Sequence, residues 1–293
     1  MTGPRPSVLS AEVPLNQLQE ASGRLVKMPA APDQPVSYRL RVGDSELPLN
    51  DLLGQTIEIA CTGEIRCIHC NRKTSKSFSQ GYCYPCFKRL AACDTCIMSP
   101  EKCHYHLGTC REPEWGETHC MTGHVVYLAN SSGLKVGITR ASQVPTRWID
   151  QGAVAAIPMV RVATRYLAGL VEVACKQYVA DRTNWRTMLK GEAPALDLVA
   201  ERAGLLDLVR PDLERLAAEH GQGSIEVADD PVLQLDYPVV TWPQKIKTHN
   251  LDKEPVATGV LQGIKGQYLM LDTGVINIRK YTAYEVRVRV LSE

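Results

Sequence analysis

The chain has 293 residues, 44% hydrophobic and 22% charged, so it can bury a sizeable core and is not a disordered polyelectrolyte. Lysine plus arginine is 33 and aspartate plus glutamate is 32, a net charge of +1, so a globally basic nucleic-acid binder is not indicated and any basic face must be local. No window approaches the ~18 consecutive apolar residues of a membrane helix, and the opening MTGPRPSVLSAEVP has no apolar h-region, so a cytoplasmic protein with no membrane partner is expected.

Residues 1–21 are polar with scattered prolines and read as a tail. Residues 22–60 alternate like strands: Val36, Tyr38, Leu40 and Val42 occupy every second position, Gly43-Asp44 signals a turn, and Leu47, Leu49, Ile57 and Ile59 follow. Residues 256–291 alternate in the same way. Leu40-Arg41-Val42-Gly43-Asp44 aligns with Leu269-Met270-Leu271-Asp272-Thr273, Leu47-Pro48-Leu49 with Ile276-Asn277-Ile278, and Ile57-Glu58-Ile59 with Val286-Arg287-Val288, all at one offset of 229 residues. Chance β alternation is one explanation. The other is that two homologous halves, 22–60 and 256–291, close into one discontinuous small β-domain around a long insertion.

Residues 61–123 form a cysteine-rich module, since 10 of the 11 cysteines fall between Cys61 and Cys120. Clustered thiols in a long chain without a secretory signal point to metal, zinc first, with redox chemistry and an iron–sulfur cluster as alternatives. Cys67-x2-Cys70 and Cys83-x2-Cys86 are two knuckles of a zinc ribbon, able to complete a tetrahedron of thiolates with no open position, which makes the zinc structural. Gly81 suits the turn into the second knuckle. The favoured ligands of a second zinc are Cys96, Cys103, Cys110 and Cys120, with Cys93, His104 and His106 as substitutes that spacing does not separate. Cys61 and Cys175 read as buried hydrophobes and His69 as a surface residue. From Ile65 to Cys93 there are six basic residues and no acid. With Tyr82, Tyr84 and Phe87 nearby, this loop suits phosphate contact and stacking, or the aromatics pack the ribbon.

Residues 124–190 read strand, hairpin turn at Asn130–Gly133, strand, short helix, strand, long helix from Arg165 to Ala180. Residues 191–255 are an acidic helical segment, interrupted at Pro211, and an extended linker. From Glu192 to Asp236 there are 11 acids and three arginines, most simply a solvated face.

Over 124–185 this order of elements resembles the GIY-YIG nuclease superfamily. Val125-Val126-Tyr127 stands where that family has Gly-Ile-Tyr, and Lys135-Val136-Gly137 where it has Tyr-Ile-Gly. Arg147 stands at its arginine, Glu172 at its metal-binding glutamate, and Asn184 at a late polar position. Val125 and Lys135 depart from the family pattern. The runs GYCYPCF, PEKCHYHLGTCREPEW, YLANSSGLKVGITR, RWIDQGA and GIKGQYL make the whole chain similar to a bacterial family named domain of unknown function 2797, which adds no mechanism. The resemblance implies a multi-domain α+β protein in which a GIY-YIG-like α/β unit joins the zinc ribbon and the small β-domain. It implies a metal-dependent nuclease acting on DNA or RNA. Glu172 would hold Mg²⁺ or Mn²⁺, Arg147 would grip phosphate, and Tyr127 would lie against the attacking water, with a role as its base open to it. Lys135 would bind phosphate, or act as a base if burial lowers its pKa. The alternative is a catalytically inactive adaptor that binds nucleic acid or protein. Each residue also has an ordinary explanation: Glu172 in an i,i+4 pair with Lys176, Arg147 as a surface cation, Tyr127 in the core, Lys135 in solvent.

Overall fold

A computed structural model of the protein describes residues 20–291, so nearly all of the stretch read as a tail lies outside the described residues. The fold is mixed α/β with three sheets. The first segment gives β1 (Glu20–Arg24), β2 (Ala30–Ala31), β3 (Ser37–Val42), β4 (Ser45–Pro48) and β5 (Thr56–Ile65). Alternation does here what its period requires: β3 buries Tyr38, Leu40 and Val42 and exposes Arg39 and Arg41. The cysteine-rich stretch holds little regular structure, only α1 (Tyr84–Arg89), a run of 3-10 turns and α2 (Pro113–His119). Then come β6 (His124–Asn130), β7 (Leu134–Arg140), α3 (Thr146–Asp150), β8 (Ala155–Val162), α4 (Arg165–Cys175), α5 (Trp185–Leu189) and α6 (Leu198–His220). Short strands β9 (Ile225–Val227) and β10 (Leu233–Gln234) lead to β11 (Val256–Lys265), β12 (Tyr268–Leu271), β13 (Gly274–Asn277) and β14 (Tyr284–Leu291). Among the described residues no helix is long and apolar enough to cross a membrane.

Strands from the two ends of the chain share one sheet, in the order β1-β14-β5-β11-β12-β13. Its register has a local two-fold relation. β4 and β13 lie 229 residues apart, and at that same offset Ile59 has Val288 as both its counterpart and its direct partner across the ladder. The outer neighbours flank this pair symmetrically, with Arg24 opposite Glu285 and Val260 opposite Thr56, though β1 and β11 do not keep the offset of 229. The hairpins break it: β12–β13 extends the large sheet, while β3–β4 forms a three-stranded sheet with β2.

β6 lies at the middle of the other sheet, between β7 and β8, and all seven of its residues are buried. Val126 and Leu128 face Leu167 and Val171 of α4 and Leu205 and Val209 of α6. Val125, Tyr127 and Ala129 face the opposite way, into a core they share with Ile57, Ile59 and Val288 of the large sheet. One continuous apolar interior therefore fixes the α/β unit against the sheet made by the chain ends.

Two local expectations fail. α6 runs straight through Pro211. A proline removes one intrahelical hydrogen bond, but stopping there would expose Leu213 and Leu216, which the helix buries alongside Leu205 and Val209. α4 ends at Cys175 rather than Ala180, because the chain turns out to let Ala180 accept a hydrogen bond from Val136 of β7 at 2.8 Å.

Candidate metal centre and adjoining cleft

The two knuckles bring the sulfurs of Cys67, Cys70, Cys83 and Cys86 within 4.8 Å of one another. Cys70 and Cys83 Sγ are 3.7 Å apart. A zinc tetrahedron with bonds of about 2.3 Å has sulfur–sulfur edges of about 3.8 Å, so the donor set fits the ion. Burial pushes the Cys67 thiol up, but the backbone N–H groups of Cys70, Cys83 and His69 aimed at it outweigh that and hold it at about 6. A sulfur so placed is ready to be a thiolate ligand. Tyr82 and Phe87 pack against the cluster with Leu90, whereas Tyr84 is 55% exposed. His69 is exposed and Cys175 is buried among the residues of α4 and α6.

The other candidate ligands divide. Cys93 packs with the first cluster. Cys96, Cys103, Cys110 and Cys120 line one small cavity. His106 is exposed, its ring 5.7 Å from that of Tyr166. His104 offers Nδ1 to the Thr109 hydroxyl at 2.8 Å, and its Nε2 lies 3.5 Å from Asp94. Donor atoms of Asp94, Cys96 and His104 fall within 4.8 Å of one another. Asp94 was not anticipated from the sequence, and its carboxylate is already engaged by Arg111 at 2.6 Å.

The four residues singled out in the α/β unit feel one another's charge, though only Lys135 lines the adjoining cleft. Tyr127 on β6 faces Gly137 of β7, and its hydroxyl donates to Gln151 Oε1 at 2.9 Å. Burial pushes Tyr127 up to about 12, with the Arg147 guanidinium pulling the other way. The phenol is therefore a hydrogen-bond donor at neutral pH and not a base. Lys135, two residues before Gly137, is 4% exposed and donates to Thr183 Oγ1 at 3.3 Å. Burial lowers it to about 8, Arg147 adds to the shift, and Glu172 and Asp181 oppose it. Arg147 on α3 makes no ion pair among the described residues. Glu172 on α4 is buried, which raises its pKa against the pull of Lys176. The Lys176 ammonium sits 3.2 Å from Glu172 and 3.1 Å from Asp181, bridging two carboxylates. Glu172 belongs to no cluster of three metal-binding groups among the described residues. Asn184 caps α5, its side chain accepting from the N–H groups of Arg186 and Thr187.

Lys135 and Gln151 open onto a cleft of about 510 Å³ whose other walls include Ser77 and Gln80 of the ribbon loop and Arg279 and Lys280. Arg279 donates to Gln80 Oε1 at 2.5 Å, tying the large sheet to the ribbon. Burial lowers the Arg279 pKa and the nearby Arg147 guanidinium adds to the effect. Asp150, the acid on this wall, is held by Lys27 at 2.5 Å, with Arg279 at 4.0 Å. Lys280 is paired with Asp252 at 3.4 Å, so the positive surplus of the cleft rests on Lys135 and Arg279. The sequence reading missed Arg279 and Lys280. The signal that marks them is a break in the internal repeat, whose other half carries Asn50-Asp51 at the same place.

No curated protein and no solved structure matches the chain. A family model described as Protein of unknown function (DUF2797) matches residues 54–286, a span that takes in both cysteine groups and the cleft. The chain belongs to that family, DUF2797.

Proposed function

We propose that the protein acts on nucleic acid, with the cleft gripping the phosphodiester backbone of DNA or RNA and β6, β7, α3, β8 and α4 working as a GIY-YIG-like phosphodiesterase. What supports the proposal is the mutual electrostatic influence of Tyr127, Lys135, Arg147 and Glu172, from two strands and two helices, with Lys135 in the wall of a cleft that holds more cations than free carboxylates. A phosphodiester chain supplies the anionic oxygens such a surplus needs. The planar forks of Arg147 and Arg279 suit its non-bridging oxygens. Lys135, held at about 8, is neutral in roughly a tenth of molecules at pH 7. That fraction takes the proton of an attacking water, whose oxygen bonds to phosphorus as the bond to the leaving oxygen breaks. Tyr127 stays protonated and orients the site through Gln151. Mg²⁺ or Mn²⁺ would stabilise charge on the leaving oxygen. Glu172 offers only one carboxylate, already paired with Lys176, so no step here depends on that ion. Zinc on the first cluster is structural, since four protein ligands leave no open position. A reducing, cytoplasmic setting keeps the thiols free to bind it.

The Glu172–Lys176 pair favours a second reading, a nucleic-acid-binding or protein-interaction adaptor that does not cut. An ammonium standing between two carboxylates fills the place a divalent cation would take. The test uses the parent protein and Glu172→Ala with labelled DNA and RNA in Mg²⁺ and Mn²⁺. Cleavage by the parent alone supports the phosphodiesterase. Tight binding without cleavage by either protein supports the adaptor, and absence of both binding and cleavage removes both readings.

A further inference from the structure

Residues 94–120 fold with almost no apolar interior. Their large hydrophobic side chains are Ile97, Met98, Tyr105, Leu107 and Trp115, and none is buried. Met98 is 86% exposed and Leu107 66%. Three 3-10 turns and one short helix make up the regular structure. Such a segment gains too little from burial to offset its lost chain entropy, so something else must hold it. At its centre is a cavity of about 20 Å³, with Cys96, Cys103, Cys110 and Cys120 in its wall beside Asp94 and His104. That is room for about one water-sized sphere. These cysteines come from four separate turns, so a single ion bound to all of them would cross-link the whole segment.

The competing donors nearby are in part committed elsewhere, with His104 Nε2 the one left over. Asp94 is paired with Arg111 at 2.6 Å and also accepts from the Thr95 N–H at 2.6 Å. His104 spends Nδ1 on Thr109. The thiols have no such ties, and all four are free cysteines. Zinc on four thiolates carries a charge of about −2, which needs cations close by. Arg165 supplies one: it is anchored by a 2.7 Å bond from Nη2 to the Ile97 carbonyl, while its buried Nε has no partner. The segment also rests on α4, where a Cβ at Gly169 would lie 2.6 Å from the Glu101 nitrogen. Only glycine admits that approach.

We infer that Cys96, Cys103, Cys110 and Cys120 bind a second structural zinc, all-thiolate, that holds residues 94–120 together and seats them on α4. This site stands independently of any action on nucleic acid. Full-length protein purified without chelator is expected to contain two zinc ions per chain by elemental analysis. Cys103→Ser and Cys110→Ser each lower that to one, and His104→Ala leaves it at two. X-ray absorption at the zinc edge is expected to show sulfur neighbours only, a readout that needs no variant to fold. One zinc per chain in the parent would overturn the inference. So would a mixed sulfur and nitrogen or oxygen shell, or loss of one zinc from His104→Ala with retention in Cys110→Ser, since these assign the ion to Asp94, Cys96 and His104.

Discussion

The Tyr127 hydroxyl lies over the α-carbon of Gly137, its cross-strand partner, so closely that a methyl group there would be 2.7 Å from the phenolic oxygen. No rotamer of a buried tyrosine relieves such an overlap without moving the core. Gly137→Ala is therefore expected to lose about 1–3 kcal/mol in urea unfolding, the usual cost of overpacking. An unchanged midpoint would mean that the ring has space not apparent in the fold.

Removing the first zinc should unfold the ribbon and spoil the cleft together, because Gln80 in the ribbon loop accepts from Arg279. Cys83→Ser, or a strong chelator, is expected to lower the melting temperature by several degrees and to weaken nucleic-acid binding. Binding that survives full loss of zinc would separate the ribbon from the cleft.

Lys135 gives two opposite pH trends. Its folded pKa, about 8, is below its free value of 10.5. Between the two, the unfolded chain holds a proton that the folded chain has released, so the stability due to this residue rises as pH climbs from 8 to 10.5. Affinity for a phosphate chain falls over the upward passage through pH 8, as the positive charge is lost. Titrations of binding by fluorescence anisotropy should show the decline in the parent and a flatter profile in Lys135→Met. Lys265, also lowered to about 8 by burial, remains in both proteins as an internal control.

Lys176→Met leaves Glu172 buried without its partner. Its pKa, already raised by burial, should rise further, and the variant is expected to be about 1 kcal/mol less stable at pH 7, a typical value for a partly buried pair. The deficit should shrink as pH falls and the carboxyl group takes up a proton. If Glu172 accepts divalent ions, Mg²⁺ will raise the melting temperature of this variant more than that of the parent; equal shifts argue against a metal role.

Features set by local chemistry were readable from the sequence. Two Cys-x2-Cys knuckles can do little but converge, and the alternation of Tyr38, Leu40 and Val42 decides which side is buried. Features set by partners distant in the chain were not. Arg111 meets Asp94, Lys176 bridges Glu172 and Asp181, and Arg279 reaches Gln80, and none of these meetings leaves a periodic trace. That Asn184 caps α5 was not legible for another reason: a helix cap and a polar site residue look the same in sequence. Pro211 misled because local propensity yields to a buried apolar stripe.

The self-facing pair Ile59 and Val288 gives the large sheet the register of a homodimer written into a single polypeptide. Two identical peptides, each lending a long strand to the other, would recover the run β1-β14-β5-β11. Within one chain the two halves need not be alike. One copy can keep Asn50-Asp51, while the other turns the same corner with Arg279-Lys280 and points it at the cleft.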